Sequence, residues 1–252
     1  MTLERGRYYT PEGLLRSTTA NKSKPGEQRA IRSNDALKLG LYPSVSMIIG
    51  QVLRKPVLEE WKADTAIDAA LTLPRLEGET SDAFRLRVKQ DAEEQSIKAR
   101  DAGTEIHASI QCWLTTGDFQ CLPQWWPVVE KFILWYRAKG FEHEAVERVV
   151  VNHEFRYAGT TDWVGTLNGK RLYIDFKTQE APLTPYDELP LQLAAYAKAD
   201  DALSGCDLAS VIIDRKNPGE VLFKVWGENE RHWARFHCLL NYWQLSHKGW
   251  TE

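Results

Sequence analysis

The chain has 252 residues, 43% of them hydrophobic, a length that fits one large domain or a core carrying a helical appendage. Its formal charge of −3 and pI near 6.1 exclude a global basic footprint for nucleic acid, so an anionic partner has to be met by a local basic patch or through a bound cation. Four cysteines without a Cys-x-x-Cys pair argue against a zinc ribbon, and the lack of a leader pattern or a membrane-length apolar run predicts a soluble, cytoplasmic protein with no membrane partner.

Residues 1–40 are polar and rich in Lys, Arg, Ser and Thr, with Lys22-Ser-Lys24-Pro25-Gly26 the least structured part. They read as a flexible or peripheral arm, either a solvated tail or a segment whose basic residues and Tyr8-Tyr9 pair meet a nucleic-acid strand by charge and stacking. From Tyr42 the pattern changes. Ser44 or Ser46 caps a helix carrying Ile48, Ile49, Val52 and Leu53, and Pro56 starts another in which Val57, Leu58, Trp61 and Ile67 are the expected buried positions. A long helix is predicted over 81–114, capped by Ser81 or Asp82. It is dense in charge at Arg85, Arg87, Lys89, Lys98 and Arg100, and Gly103-Thr104-Glu105-Ile106-His107 lies within it. A lone helical histidine is ordinarily packed or hydrogen bonded, so His107 by itself says little.

Pro123 to Lys139 reads as an amphipathic helix with a glycine stop at Gly140. Two strand segments follow, 145–151 and 153–157, carrying Glu147 and Glu154. Glu154 is close enough in sequence to the next motif to be a site candidate, although a solvent-facing edge carboxylate is its simpler role. Residues 157–177, YAGTTDWVGTLNGKRLYIDFK, organise the rest. A Gly159-x-x-Asp162 turn precedes one strand, Asn168-Gly169 supplies a hairpin turn, and the second strand ends in Asp175-Phe176-Lys177. Asp175 and Lys177 leave the same face of that strand, and Asp162 can approach it. Two carboxylates and an ammonium brought together are costly without a cation and an anionic substrate to justify them.

Beyond Thr178, a loop holding Pro182 and Pro185 leads to a helix over about 189–200. Gln192 and Tyr196 share one face of it, with Leu193 and Ala197 on the packing side. Strands at 208–214 and 221–226, turned by Lys216-Asn217-Pro218-Gly219, and a closing helix over 228–247 complete the chain.

Helical Gly-x-x-x-His (Gly103, His107), Gly-x-x-Asp (Gly159, Asp162), Asp-x-Lys-Thr (Asp175, Lys177, Thr178) and Gln-x-x-x-Tyr (Gln192, Tyr196) occur in this order. That order resembles the RecB-like branch of the PD-(D/E)XK nuclease superfamily, and the Pro43-Ser-Val-Ser segment is similar to phage and mitochondrial single-strand exonucleases of that branch. The resemblance implies an α/β fold with a restriction-endonuclease-like core, a central mixed sheet of about five strands flanked by helices, and an N-terminal helical region. The division expected is an arm at 1–40 and a nuclease domain at 41–252, made of a helical subregion (41–100) and a catalytic core (101–252). It further implies metal-dependent hydrolysis of DNA by Mg²⁺ or Mn²⁺. His107, Asp162, Asp175 and the Phe176 carbonyl would hold the metal, Lys177 would act on water and phosphate, and Gln192 and Tyr196 would support the lysine and the substrate backbone. Without the cysteine arrangement of cluster-bearing relatives, and without a phosphate-loop motif, neither an iron–sulfur cluster nor ATP is expected. The expected activity is exonucleolytic, on single strands, in replication, recombination or repair, with a recombination or replication protein as a further partner. A structure-specific or double-strand endonuclease of the same fold and a non-catalytic nucleic-acid-binding module are the alternatives.

Overall fold

A computed structural model describes residues 7–21 and 23–250, with the Val57 side chain left out. The expected buried role of Val57, the mobility expected of Lys22 and the start of the arm at 1–6 therefore lie outside the described residues. In chain order the elements are β1 (Tyr8–Tyr9), β2 (Leu15–Arg16), β3 (Thr18–Ala20), β4 (Gln28–Ala30), α1 (Ser33–Lys38), β5 (Tyr42–Pro43), α2 (Val45–Val52), α3 (Pro56–Thr72) and α4 (Ser81–Thr116). They continue with α5 (Trp126–Lys139), β6 (Glu142–Asn152), β7 (Tyr157–Leu167), β8 (Lys170–Gln179), α6 (Leu189–Ala199), β9 (Asp207–Asp214), β10 (Val221–Trp226) and α7 (Asn229–Ser246).

The central sheet runs β10-β9-β8-β7-β6. Only β8 and β9 are parallel, joined through α6, and the other pairs are antiparallel, so the sheet is mixed. Asn168 and Gly169 both take positive φ (52° and 76°), the conformation that lets a two-residue turn match strand twist, and they join β7 to β8 as the sequence predicts. The 153–157 strand is not formed. Asn152 instead accepts the Phe155 N–H on its side-chain oxygen at 2.8 Å, and the chain turns back directly into β7. Gly159-x-x-Asp162 consequently lies inside β7 rather than in a turn before it.

Alternation along β8 sorts the core into two layers. Leu172, Ile174 and Phe176 pack with Trp163 against α4 and α5, while Tyr173 packs with Tyr157, Leu191 and Phe236 against α2, α6 and α7. Two buried ring donors are paired across the layers: Trp163 Nε1 donates to Tyr136 Oη at 2.9 Å, and Tyr157 Oη donates to the Ala195 carbonyl at 2.9 Å.

Two readings of the N-terminal half need correction. Tyr8 and Tyr9 do not present stacking faces. They form a strand between β2 and β5, both are buried, Tyr9 Oη bonds Thr160 Oγ1 at 2.9 Å, and Tyr8 stacks on Trp250. In α3 the large residues Leu58, Trp61 and Ile67 are exposed, and among the described side chains of the helix the buried ones are Thr65 and Ala69. Small side chains let α3 lie close along α4, so the seam is narrow and the bulky residues are left outside it. Ser44 caps α2, accepting from the Met47 N–H, whereas α4 is capped by Thr80, one residue before the expected pair.

Replacing Tyr136 by Phe would leave the fully buried Trp163 N–H without an acceptor, so chemical denaturation should show a loss of about 1–3 kcal/mol. An unchanged midpoint would mean that this bond contributes nothing to stability.

Candidate metal centre

The site forms where β7 and β8 part. Their ladder is last paired at Trp163↔Ile174, and just beyond it the Phe176 N–H is taken by the Asp162 carboxylate, Oδ2 accepting at 2.8 Å. This fixes Asp162 at the mouth of the gap. Asp175 lies on β8 within the same gap, almost fully buried, and is held from two directions. Lys177 Nζ donates to its Oδ1 at 2.7 Å and lies 2.7 Å from Oδ2, and Gln192 Nε2, from the first turn of α6, donates to Oδ1 at 2.8 Å. Asp175 and Lys177 leave the same face of a strand, as their spacing requires.

From the opposite layer α4 lowers His107 onto the gap. Its Nε2 is 3.1 Å from Asp162 Oδ2 and its Nδ1 is 3.7 Å from Glu147 Oε1. The helix comes this close because Gly103, one turn earlier on the same face, has no side chain. A Cβ there would stand 2.9 Å from Thr178 Oγ1. Gly159 makes the matching allowance beneath the sheet, where a Cβ would sit 2.4 Å from Tyr196 Cε1.

Burial would lower the basicity of His107, but its contact with Asp162 and the charges of Asp162 and Glu147 outweigh burial and raise its pKa above the usual 6.5. Burial likewise works against an ionised Asp162. The His107 contact, the Lys177 charge and the Phe176 N–H overcome that burial and hold Asp162 below the usual carboxylate range. At Asp175 burial prevails, with the neighbouring Asp162 charge adding to it, and the group is pushed up to about 6 despite Lys177. Lys177 is disfavoured by burial, yet Asp175 and Asp162 hold it charged and raise its pKa.

His107, Glu147 and Asp162 offer ligand atoms within 4.8 Å of one another, the one such group found among the described residues. With the buried Asp175 carboxylate beside them, the donors are hard oxygens plus one imidazole, which suits Mg²⁺ or Mn²⁺. Asp175 Oδ2 is buried with the Lys177 ammonium 2.7 Å away as its one close polar neighbour among the described residues, and a raised pKa on an acid beside another acid marks a place where added positive charge would be favourable. The residues therefore fit a divalent cation. His107, Glu147 and Asp162 line a cleft of about 580 Å³ together with Arg7, Arg100, Thr104, Gln111, Thr160 and Thr178, and Asp175 lies buried behind it.

Of the residues singled out in the sequence, His107, Asp162, Asp175, Phe176, Lys177 and Gln192 meet here. Tyr196 is buried against Gly159 and forms no hydrogen bond to the cluster among the described residues. Glu154 is exposed in the β6–β7 turn, away from the cleft lining. Of the basic residues that make α4 dense in charge, Arg85 and Arg87 are tied to Asp82 and Glu79, and only Arg100 lines the cleft. Two residues were missed. Arg7 reaches the cleft because β1 runs beside β5, the Ser44 N–H bonding the Arg7 carbonyl at 3.0 Å. Glu147 faces Asp162 across the β6–β7 ladder, between the Val146↔Trp163 and Arg148↔Thr161 pairs. Its only sequence signal was an acid on the strand preceding the motif.

No protein-family model matches the sequence, and no curated protein matches it. Among solved structures, the chain is similar to the crystal structure of SSO0001, with 17% identity, 75% of this chain and 87% of that chain covered, and a TM-score of 0.33. It is also similar to an alkaline exonuclease (LHK-Exo) from Laribacter hongkongensis, with 13% identity, 75% and 91% covered, and a TM-score of 0.36. At such TM-scores these likenesses assign no role, and the functional reading rests on the side chains.

In the metal-free protein the His107–Asp162 pair should give a bounded pH dependence. The histidine's raised pKa means its contribution is complete below about 6.5 and is lost as pH rises through the folded value. The aspartate's lowered pKa means its contribution is present above about 3.9 and is lost as pH falls. The gap in melting temperature between the parent and His107→Asn should therefore be widest between these limits and narrow above neutrality. A gap that does not change with pH would show that the pair is not ionised as described.

Proposed function

We propose that the chain is a divalent-metal-dependent nuclease of the PD-(D/E)XK type that hydrolyses DNA phosphodiester bonds from single-stranded ends. The observation carrying this reading is the meeting of Asp162, Asp175 and Lys177 with the helix-borne His107 where β7 and β8 part. Perturbed acids, a charged lysine and a histidine in one cleft are the parts that phosphodiester hydrolysis needs. A bound Mg²⁺ or Mn²⁺ would neutralise phosphate charge and make water more acidic.

The chain's own groups supply the remainder. Asp162, Asp175, His107 and the Phe176 carbonyl would hold the cation. Lys177 stays charged through its two acidic neighbours, and its Nζ orients the attacking water and the anionic phosphate. Gln192 fixes the rotamer of Asp175, and Tyr196 supports β7 from beneath through Gly159. Arg7 and Arg100 at the cleft add positive charge for the flanking phosphates.

A single-stranded substrate is favoured by the far side of Lys177. A second cleft of about 590 Å³ begins there, lined by Leu53, Leu58, Tyr186 and Arg235 among others, and a third of about 520 Å³ adjoins it with Trp61 and Arg215. Aromatic and apolar faces interleaved with cations suit unpaired bases, which stack without regard to sequence.

Hydrolysis of end-labelled single-stranded DNA with Mg²⁺ or Mn²⁺ tests this reading. Asp162→Asn and Lys177→Ala should each lower the rate by about 10²–10³ or more while leaving the far-UV circular dichroism unchanged, and EDTA should stop the reaction. Full activity in either variant, or in EDTA, would overturn the assignment, and cleavage of closed circular single strands would replace the exonuclease with an endonuclease.

A further inference from the structure

Glu147 has a backbone that calls for a reason. It sits in the middle of an eleven-residue strand with φ of +52°, a left-handed conformation that a side-chain-bearing residue adopts at a cost. Val146 and Arg148 on either side keep their places in the ladder, and the register of β6 shifts only farther up the strand, between His143 and Ala145. Opposite it stands Asp162, and two carboxylates facing each other across antiparallel strands repel. Between them lies the His107 ring, with Nε2 toward Asp162 and Nδ1 toward Glu147. No lysine or arginine forms an ion pair with Glu147 among the described residues, although Arg7 lines the same cleft.

The two carboxylates thus address opposite nitrogens of one imidazole. A histidine that binds a metal through one ring nitrogen must carry its proton on the other, and a carboxylate facing that proton sets both the tautomer and the ring plane. Building on the proposed metal-dependent reaction, we propose that Glu147 is the positioning residue of the centre. It accepts the Nδ1–H of His107, so that Nε2 is unprotonated and aimed at the cation held by Asp162. The 3.7 Å separation is longer than a hydrogen bond and is the distance the pair closes when the cation fixes the ring. Glu147 acts through His107 and needs no cation of its own.

Mn²⁺ binding by isothermal titration calorimetry, with melting curves of the metal-free proteins, tests this directly. Glu147→Ala should weaken Mn²⁺ binding by about 10–100-fold at unchanged stoichiometry. Glu147→Gln, whose side-chain oxygen still accepts from Nδ1–H, should keep most of the affinity. Glu147→Gly should lose affinity as the alanine variant does yet melt higher than the parent without metal, because glycine takes this φ freely. Undiminished affinity in Glu147→Ala, or the loss of one bound cation from the stoichiometry, would overturn the positioning role, the latter by making Glu147 a ligand in its own right. A parent protein that binds no Mn²⁺, or whose binding survives Asp162→Asn, would instead overturn the metal reading itself.

Discussion

The arrangement depends on one interruption, the opening of the β7–β8 ladder just past Trp163↔Ile174. A continuous ladder would consume the Phe176 N–H in sheet pairing and bury Asp162 and Asp175 against each other with no route to solvent. Because the strands part, Asp162 takes over that N–H, and the sheet keeps its hydrogen bond while gaining an open carboxylate oxygen. The gap has to be roofed without being filled. Gly103 and Gly159 do this from opposite faces, since a methyl group at either position would collide with Thr178 or with the Tyr196 ring. A glycine inside a 36-residue helix costs about 0.5–1 kcal/mol relative to alanine, and here the cost brings an imidazole to within 3.1 Å of a strand-borne acid.

The charges follow from the same geometry. Glu147 and Asp162 share the cleft with His107, Lys177, Arg7 and Arg100, and Asp175 lies buried beside it. Burial and the Asp162 charge push Asp175 up to about 6. Lys177 does not cancel that push, because the same ammonium also answers to Asp162. On the proposed reading, a divalent cation beside Asp162 and Asp175 would meet the carboxylate charge that Lys177 leaves.

Much of this was legible in the sequence, for reasons that can be stated. The Asn168-Gly169 turn, the alternation on β8 and the two-residue step from Asp175 to Lys177 are local, so periodicity and turn chemistry expose them. Gln192 was readable because α6 follows β8 closely and the motif order predicted its face. Glu147 was not, because its role depends on which residue of β6 falls opposite Asp162, a register set by pairing across the fourteen residues of strand and turn between them and by a single left-handed φ. Leu58, Trp61 and Ile67 misled for the converse reason. Helical spacing marks a face as apolar without saying that anything lies against it, and in α3 the seam went to Thr65 and Ala69. Tyr8 and Tyr9 look like tail residues by composition, yet a partner strand 33 positions on, Tyr42–Pro43, draws them into the core.

The exposed residues of α3 then acquire a context. Leu58 and Trp61 border the clefts beyond Lys177, and Lys177 lines both the cleft with the acids and the more apolar cleft with Leu53 and Leu189. Asp162, Glu147 and His107 lie on one side of that lysine, and on the other aromatic and aliphatic faces are interleaved with Arg54, Lys55 and Arg235. A nucleic-acid strand has the same division, with a charged backbone and flat, poorly hydrated bases. On the proposed reading the strand would lie with its phosphate on the acid side, where charge is met, and its bases toward α3, where apolar surface otherwise faces water. A chain of net charge −3 can engage a polyanion in this way, because the attraction is confined to the few ångströms around Lys177 and the cation beside it, well inside the screening length of about 8–10 Å at physiological salt.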